Sequence, residues 1–336
     1  MRISRRAFLK YCAASAAALG LTNSGLLKLE DALAKQGGLT FIWLNGQSCT
    51  GCTVSFANSV YYATIQDLLL YGATSDSIDL LAIETLSASM GDQFLPPLPV
   101  SDFVLAVEGS IPTENPGYCE IANTISGSGL ASPVTIYDAV TYYAGSSNCT
   151  GVLSIGTCAS YGGIPAARGN MTGAKGIYDA VPSAIKSKVV NIPGCPPNPN
   201  WIVGSIAYIL ANGVSALATR LDNIRRPKLY FSCRLCRNCY RLDAASDLTS
   251  VPGRKGLFVG GTRQYDEIGD PNKRTWCLRK IGCKGTQTQS DCSYREWHSS
   301  AYSELGVNWC VGAGAPCQGC TQSNFPDKLS PFFGIQ

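Results

Sequence analysis

Cysteine is the residue whose number and spacing in this chain can do chemistry. Of sixteen cysteines, fifteen lie beyond residue 34, and twelve of those fall into three sets of four with spacings suited to iron–sulfur ligation. Thiolates are soft ligands, and clusters held by them carry single electrons. The pattern therefore reads as an electron wire.

The elements that must position these thiols are visible as short apolar runs. Leu39–Leu44, Ile78–Ile83, Phe103–Val107, Val152–Ile155 and Val189–Ile192 read as strands. Between or after them lie stretches suited to helices, at Val54–Tyr71, Val134–Tyr143, Ile177–Ser187 and Trp201–Asn212. The alternation predicts an α/β domain with a doubly wound parallel sheet. Three strands run directly into cysteine turns: Gly46-Gln47-Ser48-Cys49-Thr50-Gly51-Cys52, Gly156-Thr157-Cys158, and Pro193-Gly194-Cys195-Pro196-Pro197. Open α/β sheets bind ligands at the carboxyl ends of their strands, so Cys49, Cys52, Cys158 and Cys195 are expected to meet at one edge and hold a [4Fe–4S] cluster. Buried free thiols would explain one cysteine well and four at strand ends badly.

After about Asn212 the alternation stops. From Arg225 the chain is rich in turns, Gly, Pro and charge, and carries Cys233, Cys236, Cys239, Cys277, Cys283, Cys292, Cys310, Cys317 and Cys320. It has too few long apolar runs to hold together by burial alone, so metal clusters are expected to supply the cross-links. Zinc competes, because Cys236-Arg237-Asn238-Cys239 and Cys317-Gln318-Gly319-Cys320 are also zinc-type pairs. From Arg220 to Ser300 sixteen Lys and Arg face eight Asp and Glu. No nucleic-acid recognition module accompanies this basic character, so nucleic acid is not an expected partner.

The amino terminus points to export. Ser4-Arg5-Arg6-Ala7-Phe8-Leu9-Lys10 carries paired arginines, a mildly apolar stretch follows from Tyr11 to Leu21, and Ala32-Leu33-Ala34 suits cleavage. Residues 1–34 thus read as a twin-arginine signal peptide, 35–215 as the sheet domain and 216–336 as a cluster domain. The expected location is periplasmic or otherwise exported. No transmembrane segment is expected in the mature chain, so membrane association would need a partner subunit. Some 300 mature residues can build a core without the disulfide framework of small secreted domains.

Taken together, Cys49-Thr50-Gly51-Cys52, Glu108-Gly109-Ser110-Ile111-Pro112, Gly156 through Ala167, Pro193-Gly194-Cys195-Pro196-Pro197, Gly282-Cys283-Lys284-Gly285 and Pro316-Cys317-Gln318-Gly319-Cys320 resemble the small subunit of nickel–iron uptake hydrogenases. The resemblance spans nearly the whole mature chain. It implies a flavodoxin-like domain, a cluster domain, three iron–sulfur clusters in a line, and a large partner subunit whose nickel–iron centre splits H2. It also implies an external electron carrier: a cytochrome, a membrane subunit or another redox protein. The proximal cluster would take Cys49, Cys52, Cys158 and Cys195. This chain would conduct electrons and break no bonds itself.

Two departures from that family alter the expected chemistry. Its distal site usually opens with His-x-x-Cys, whereas here Cys236 stands at the corresponding position, giving a distal set of Cys236, Cys239, Cys277 and Cys283, with Cys233 as a rival ligand. His298, the chain's only histidine, is expected at the surface. Where the family commonly has three medial cysteines, Trp309-Cys310 here supplies a fourth. The expected medial cluster is a [4Fe–4S] on Cys292, Cys310, Cys317 and Cys320, as in the nickel–iron–selenium branch. An additional loop around Ser299–Leu305 also departs from the usual length.

Oxygen-tolerant members carry two extra cysteines near the proximal cluster, and Gly51 and Gly163 occupy those positions here. An ordinary four-cysteine proximal cluster is expected, without that source of tolerance. Cys119 and Cys149 are read as ordinary buried thiols. Glu108 is either a proton relay or an acceptor for loop N–H groups. Arg234, Arg237 and Arg241 interleave with the distal cysteines and would offset their charge, dock an acidic acceptor, or stay solvated. The alternatives to a hydrogenase subunit are a complex-I-type iron–sulfur subunit, sharing the sheet and one cluster, and a secreted protein braced by disulfides or zinc.

Overall fold

The computed structural model describes residues 39–59, 78–85, 87, 89–114, 118–239, 278, 282–295 and 309–327. The signal segment 1–34, most of the Val54–Tyr71 stretch, Arg241, Cys277, His298 and the Ser299–Leu305 loop lie outside the described residues. The chain divides into two compact units, Met1–Leu229 and Tyr230–Gln336.

The first unit is built on five parallel strands, β1 (Leu39–Asn45), β2 (Ile78–Ile83), β3 (Phe103–Glu108), β4 (Cys149–Ile155) and β5 (Val189–Ile192), in the order β2-β1-β3-β4-β5. This is the doubly wound, flavodoxin-like order, with its topological switch between β1 and β3. Helices cover both faces of such a sheet, so its strands read as continuous apolar runs. In β3 every residue is buried, and Phe103, Val104, Leu105, Ala106 and Val107 are wholly inaccessible. Truncating Leu105 to alanine there would cost about 2–5 kcal/mol.

Four helices matter for the site: α1 (Gly51–Ala57), α2 (Ile136–Gly145), α3 (Gly156–Tyr161) and α4 (Pro199–Asn212). A reciprocal capping box starts α2, with Thr135 accepting from the Asp138 N–H and Asp138 accepting from Thr135. Asn198 caps α4 ahead of Pro199 at its first turn. The stretch Ile177–Ser187, expected as one helix, forms two four-residue helices, Ile177–Ala180 and Ser183–Lys186. Val181 precedes Pro182, which pushes it into the extended region and breaks the run. Beyond α4 the unit continues to Leu229, because the turn at residues 222–226 returns to β5. There Asn191 N–H donates to Arg225 O (2.9 Å), and Arg225 Nε donates to Val189 O (2.6 Å).

The second unit has little regular structure among its described residues: a single 3₁₀ turn, Leu235–Asn238, and a short helix, Cys292–Arg295. Its apolar cluster consists of Leu235, Leu278, Trp309 and Val311 together with Cys239 and Cys317, with Cys283 and Cys292 packed against it. Cysteine sulfur thus makes up much of this small core. No helix among the described residues is long and apolar enough to cross a membrane.

Candidate iron–sulfur sites

The proximal residues are positioned from the carboxyl end of the sheet. At the switch point Glu108, the last residue of β3 and only 1 % exposed, faces the loop after β1. Its Oε1 accepts from Ser48 Oγ (2.8 Å) and the Cys52 N–H (3.0 Å), and its Oε2 accepts from the Thr53 N–H (2.9 Å) and Thr53 Oγ1 (2.5 Å). A helix start has orphan N–H groups, and α1 lacks a side-chain cap of its own, with Thr50 in the left-handed region at φ 61°. The carboxylate from the neighbouring strand takes that role. Of the two roles open to Glu108, the geometry displays the acceptor.

Two more loops close on this turn. The loops after β4 and β5 are tied by Thr157 N–H to Gly194 O (2.9 Å) and Gly194 N–H to Thr157 Oγ1 (2.9 Å). Ser55 Oγ of α1 donates to Pro197 O (2.6 Å), bringing the Cys195 loop against the helix that carries Cys52. Gly156, at φ +87°, lets its backbone approach so closely that a β-carbon there would stand 2.4 Å from Cys52 Sγ. At Gly163 a β-carbon would stand 2.8 Å from Cys158 Sγ.

These contacts bring all four predicted thiols to one edge. Cys52 is held well above an ordinary thiol pKa, first by burial, then by Glu108 and by repulsion from Cys158, Cys195 and Cys49. Burial, with Cys195 and Cys49 adding repulsion, pushes Cys158 up to about 12. Four thiolates cannot stand together here without a cationic centre to offset them. The sulfur donor set and the glycine cradle fit an iron–sulfur cluster. Among the described residues no three His, Cys, Asp or Glu side chains form a site for a single metal ion, and the described cysteines are free of disulfides.

In the second unit, burial raises the Cys292 and Cys317 thiols, and Cys317 and Cys310, the latter an exposed residue, sit close enough to Cys292 to push it further. Cys320 is half-buried. Ser290 Oγ donates to Cys292 Sγ (3.2 Å), and Thr288 Oγ1 lies 3.5 Å from Cys317 Sγ. Cys236 and Cys283 flank Gly285, whose β-carbon would stand 2.9 and 3.6 Å from their sulfurs. Cys239 is buried in the apolar cluster, whereas the rival Cys233 is exposed. Cys277 is among the residues not described.

Sequence reasoning missed the hydroxyl partners Ser48, Thr53, Thr157, Thr288 and Ser290. Their proximity to cysteines or cysteine turns was the available signal. Cys149 is buried in β4, and Cys119 is half-buried beside the same core.

Comparison with known proteins decides the family. The chain is 35 % identical over 350 residues to the periplasmic [NiFeSe] hydrogenase small subunit of Desulfomicrobium baculatum, covering 99 % of each. It belongs to the nickel–iron hydrogenase small-subunit family. The C-terminal family profile for NiFe/NiFeSe hydrogenase small subunits matches residues 254–333. That for the 20 kDa subunit of NADH ubiquinone oxidoreductase matches residues 49–209, the sheet unit shared with complex-I-type proteins. The Hydrogenase-2 small chain of Escherichia coli is 31 % identical, covering 95 % of this chain and 77 % of its own. Among solved structures, the recombinant [NiFeSe] hydrogenase of Desulfovibrio vulgaris Hildenborough superposes with a TM-score of 0.68 at 33 % identity, over 89 % of this chain and 98 % of that one. As a hydrogenase small subunit, the chain is the electron-transfer part of an oxidoreductase whose catalytic centre lies in a large subunit.

Proposed function

We propose that this chain conducts electrons between the H2-splitting centre of a nickel–iron or nickel–iron–selenium large subunit and an external carrier, through three [4Fe–4S] clusters. The observation that carries this reading is the convergence of Cys49, Cys52, Cys158 and Cys195 at the carboxyl edge of the sheet, in a chain matched end to end by hydrogenase small subunits. The complex-I-type alternative accounts for the first unit alone.

Bound here, the clusters supply one-electron carriers. The proximal set is Cys49, Cys52, Cys158 and Cys195. The medial set is Cys292, Cys310, Cys317 and Cys320, and the distal set is Cys236, Cys239, Cys277 and Cys283, with Cys233 the rival. Glu108 fixes the α1 turn that presents Cys52. Cys49 and Cys195 are exposed in the isolated chain, Val54 (54 % exposed) lies on α1 with Cys52, and Ile164 (38 %) lies in the turn that follows α3, the helix of Cys158. An apolar rim beside exposed thiols suits coverage by the large subunit.

The amino-terminal arginine pair supports export by the twin-arginine route, and the Desulfomicrobium baculatum relative is named periplasmic. Replacing Arg5 and Arg6 with lysine is expected to leave the protein in the cytoplasm.

The heterodimer is expected to reduce viologen with H2, and its oxidised form to lack a stoichiometric three-iron paramagnetic signal. Cys310→Ala is expected to create that signal. Its presence in the unaltered protein would refute a four-iron medial cluster.

A further inference from the structure

Among the described residues, the cations beside the predicted distal thiols form no ion pair. Arg234 and Arg237 bracket Cys236 on the Leu235–Asn238 turn, and both are exposed. Lys284 follows Cys283 and is partly exposed. Because Cys236 and Cys283 flank the same glycine, Gly285, these cations sit on the two segments that meet there. Among the described residues no carboxylate lies in salt-bridge range of Arg234, Arg237 or Lys284. The nearby Asp291 is engaged by Arg295 at 2.6 Å, and that guanidinium also lies 4.9 Å over the Tyr230 ring.

Solvated, unpaired charges contribute little to stability, but a cluster of one sign steers an oppositely charged partner and raises encounter rates by roughly 10–10³-fold. We propose that Arg234, Arg237 and Lys284 form the docking surface for an acidic protein electron carrier at the distal end of the chain. The proposal rests on the electron-conducting role. The transfer itself moves one electron from the reduced distal site to the oxidised carrier, with no bond made or broken. A protein carrier presents a broad acidic face, which three cations spread around two thiols complement. They would hold its redox centre near the exposed turn and let it leave again, because rim charges act mainly on association.

The test uses the intact heterodimer, reduced, freed of reductant and mixed by stopped flow with an oxidised acidic ferredoxin or a basic c-type cytochrome. The acidic probe is expected to be reduced faster at low salt, and to lose about tenfold in rate between about 0.02 and about 0.3 M salt. Arg234→Glu/Arg237→Glu is expected to slow the acidic probe about tenfold at low salt, to leave the basic probe no slower, and to leave H2-driven viologen reduction within about twofold. An acidic-probe rate indifferent to salt and to charge reversal would overturn the proposal. So would a preference of the unaltered protein for the basic probe, or an equal slowing of both probes, which would assign the arginines to the cluster's potential instead. Failure of the unaltered protein to reduce viologen with H2 would count against the hydrogenase reading alone, because the stopped-flow reaction needs no H2.

Discussion

The backbone N–H of Cys317 donates to Sγ of Cys283 at 3.3 Å, and the N–H of Lys284 returns to the carbonyl of Cys317 at 2.7 Å. Under the proposed assignment of Cys317 to the medial and Cys283 to the distal set, this reciprocal pair would tie one cluster shell to the next. Loss of either cluster is therefore expected to loosen the other. It would also give the electron a short bonded route between the two proposed sets.

Glu108→Gln tests positioning against proton relay. The carboxylate accepts four hydrogen bonds, and an amide nitrogen in place of one oxygen would face donors. The expected loss is about 1–3 kcal/mol, seen as a lower melting temperature, with the pH profile of H2 oxidation unchanged. An unchanged melting temperature with activity abolished across pH would favour the relay.

Gly156→Ala tests the proximal cradle. A β-carbon there meets Cys52 Sγ at 2.4 Å, whereas Gly213, also at positive φ, has open space around it. The Gly156 variant is expected to lose about four irons per chain, and Gly213→Ala none, although both pay a backbone strain of about 1–2 kcal/mol. Equal iron in the two variants would contradict the geometry.

Ser290→Ala tests tuning at the medial site. Ser290 is buried, and its hydroxyl hydrogen bond to Cys292 Sγ favours the more negative, reduced form. Removing it is expected to lower the medial potential in a redox titration, and Ser290→Thr to restore most of the shift. An unmoved potential in the alanine variant would show that the bond does not tune this cluster.

Much of the sheet was legible because strands buried on both faces are apolar throughout, as Phe103–Val107 shows. Cys149 to Gly151 escaped notice as strand, since Cys-Thr-Gly carries little β signal. The glycine is set by tertiary packing, because a β-carbon there would meet Val214 Cγ1 at 2.5 Å. The convergence of Cys49, Cys52, Cys158 and Cys195 was legible because three strands end in cysteine turns. The partners of Glu108 were not, because Cys52 and Thr53 lie 56 and 55 residues away in sequence. Serine and threonine near cysteine are too common to mark Thr157 or Ser290 without the fold.

Cys119 and Cys149 offer a test by pH. Burial pushes each thiol up to about 11, from an ordinary value of 9.0. A raised thiol pKa stabilises the fold below the unfolded value and loses that contribution as pH rises through the folded one, so the vulnerable window runs from about 9 to about 11. At pH 8 neither thiol should react with iodoacetamide in the folded protein, and labelling should rise steeply across that window. Rapid labelling of Cys149 at pH 8 would contradict its burial in β4.

The most direct measurement of the central claim is an anomalous difference map at the iron edge from crystals of the heterodimer. Three separate four-iron sites are expected within this chain: one bounded by Cys49, Cys52, Cys158 and Cys195, one by Cys292, Cys310, Cys317 and Cys320, and one at Cys236 and Cys283. Sulfur–sulfur bridges at these positions, single zinc ions, or a chain with iron at the proximal edge alone would contradict it.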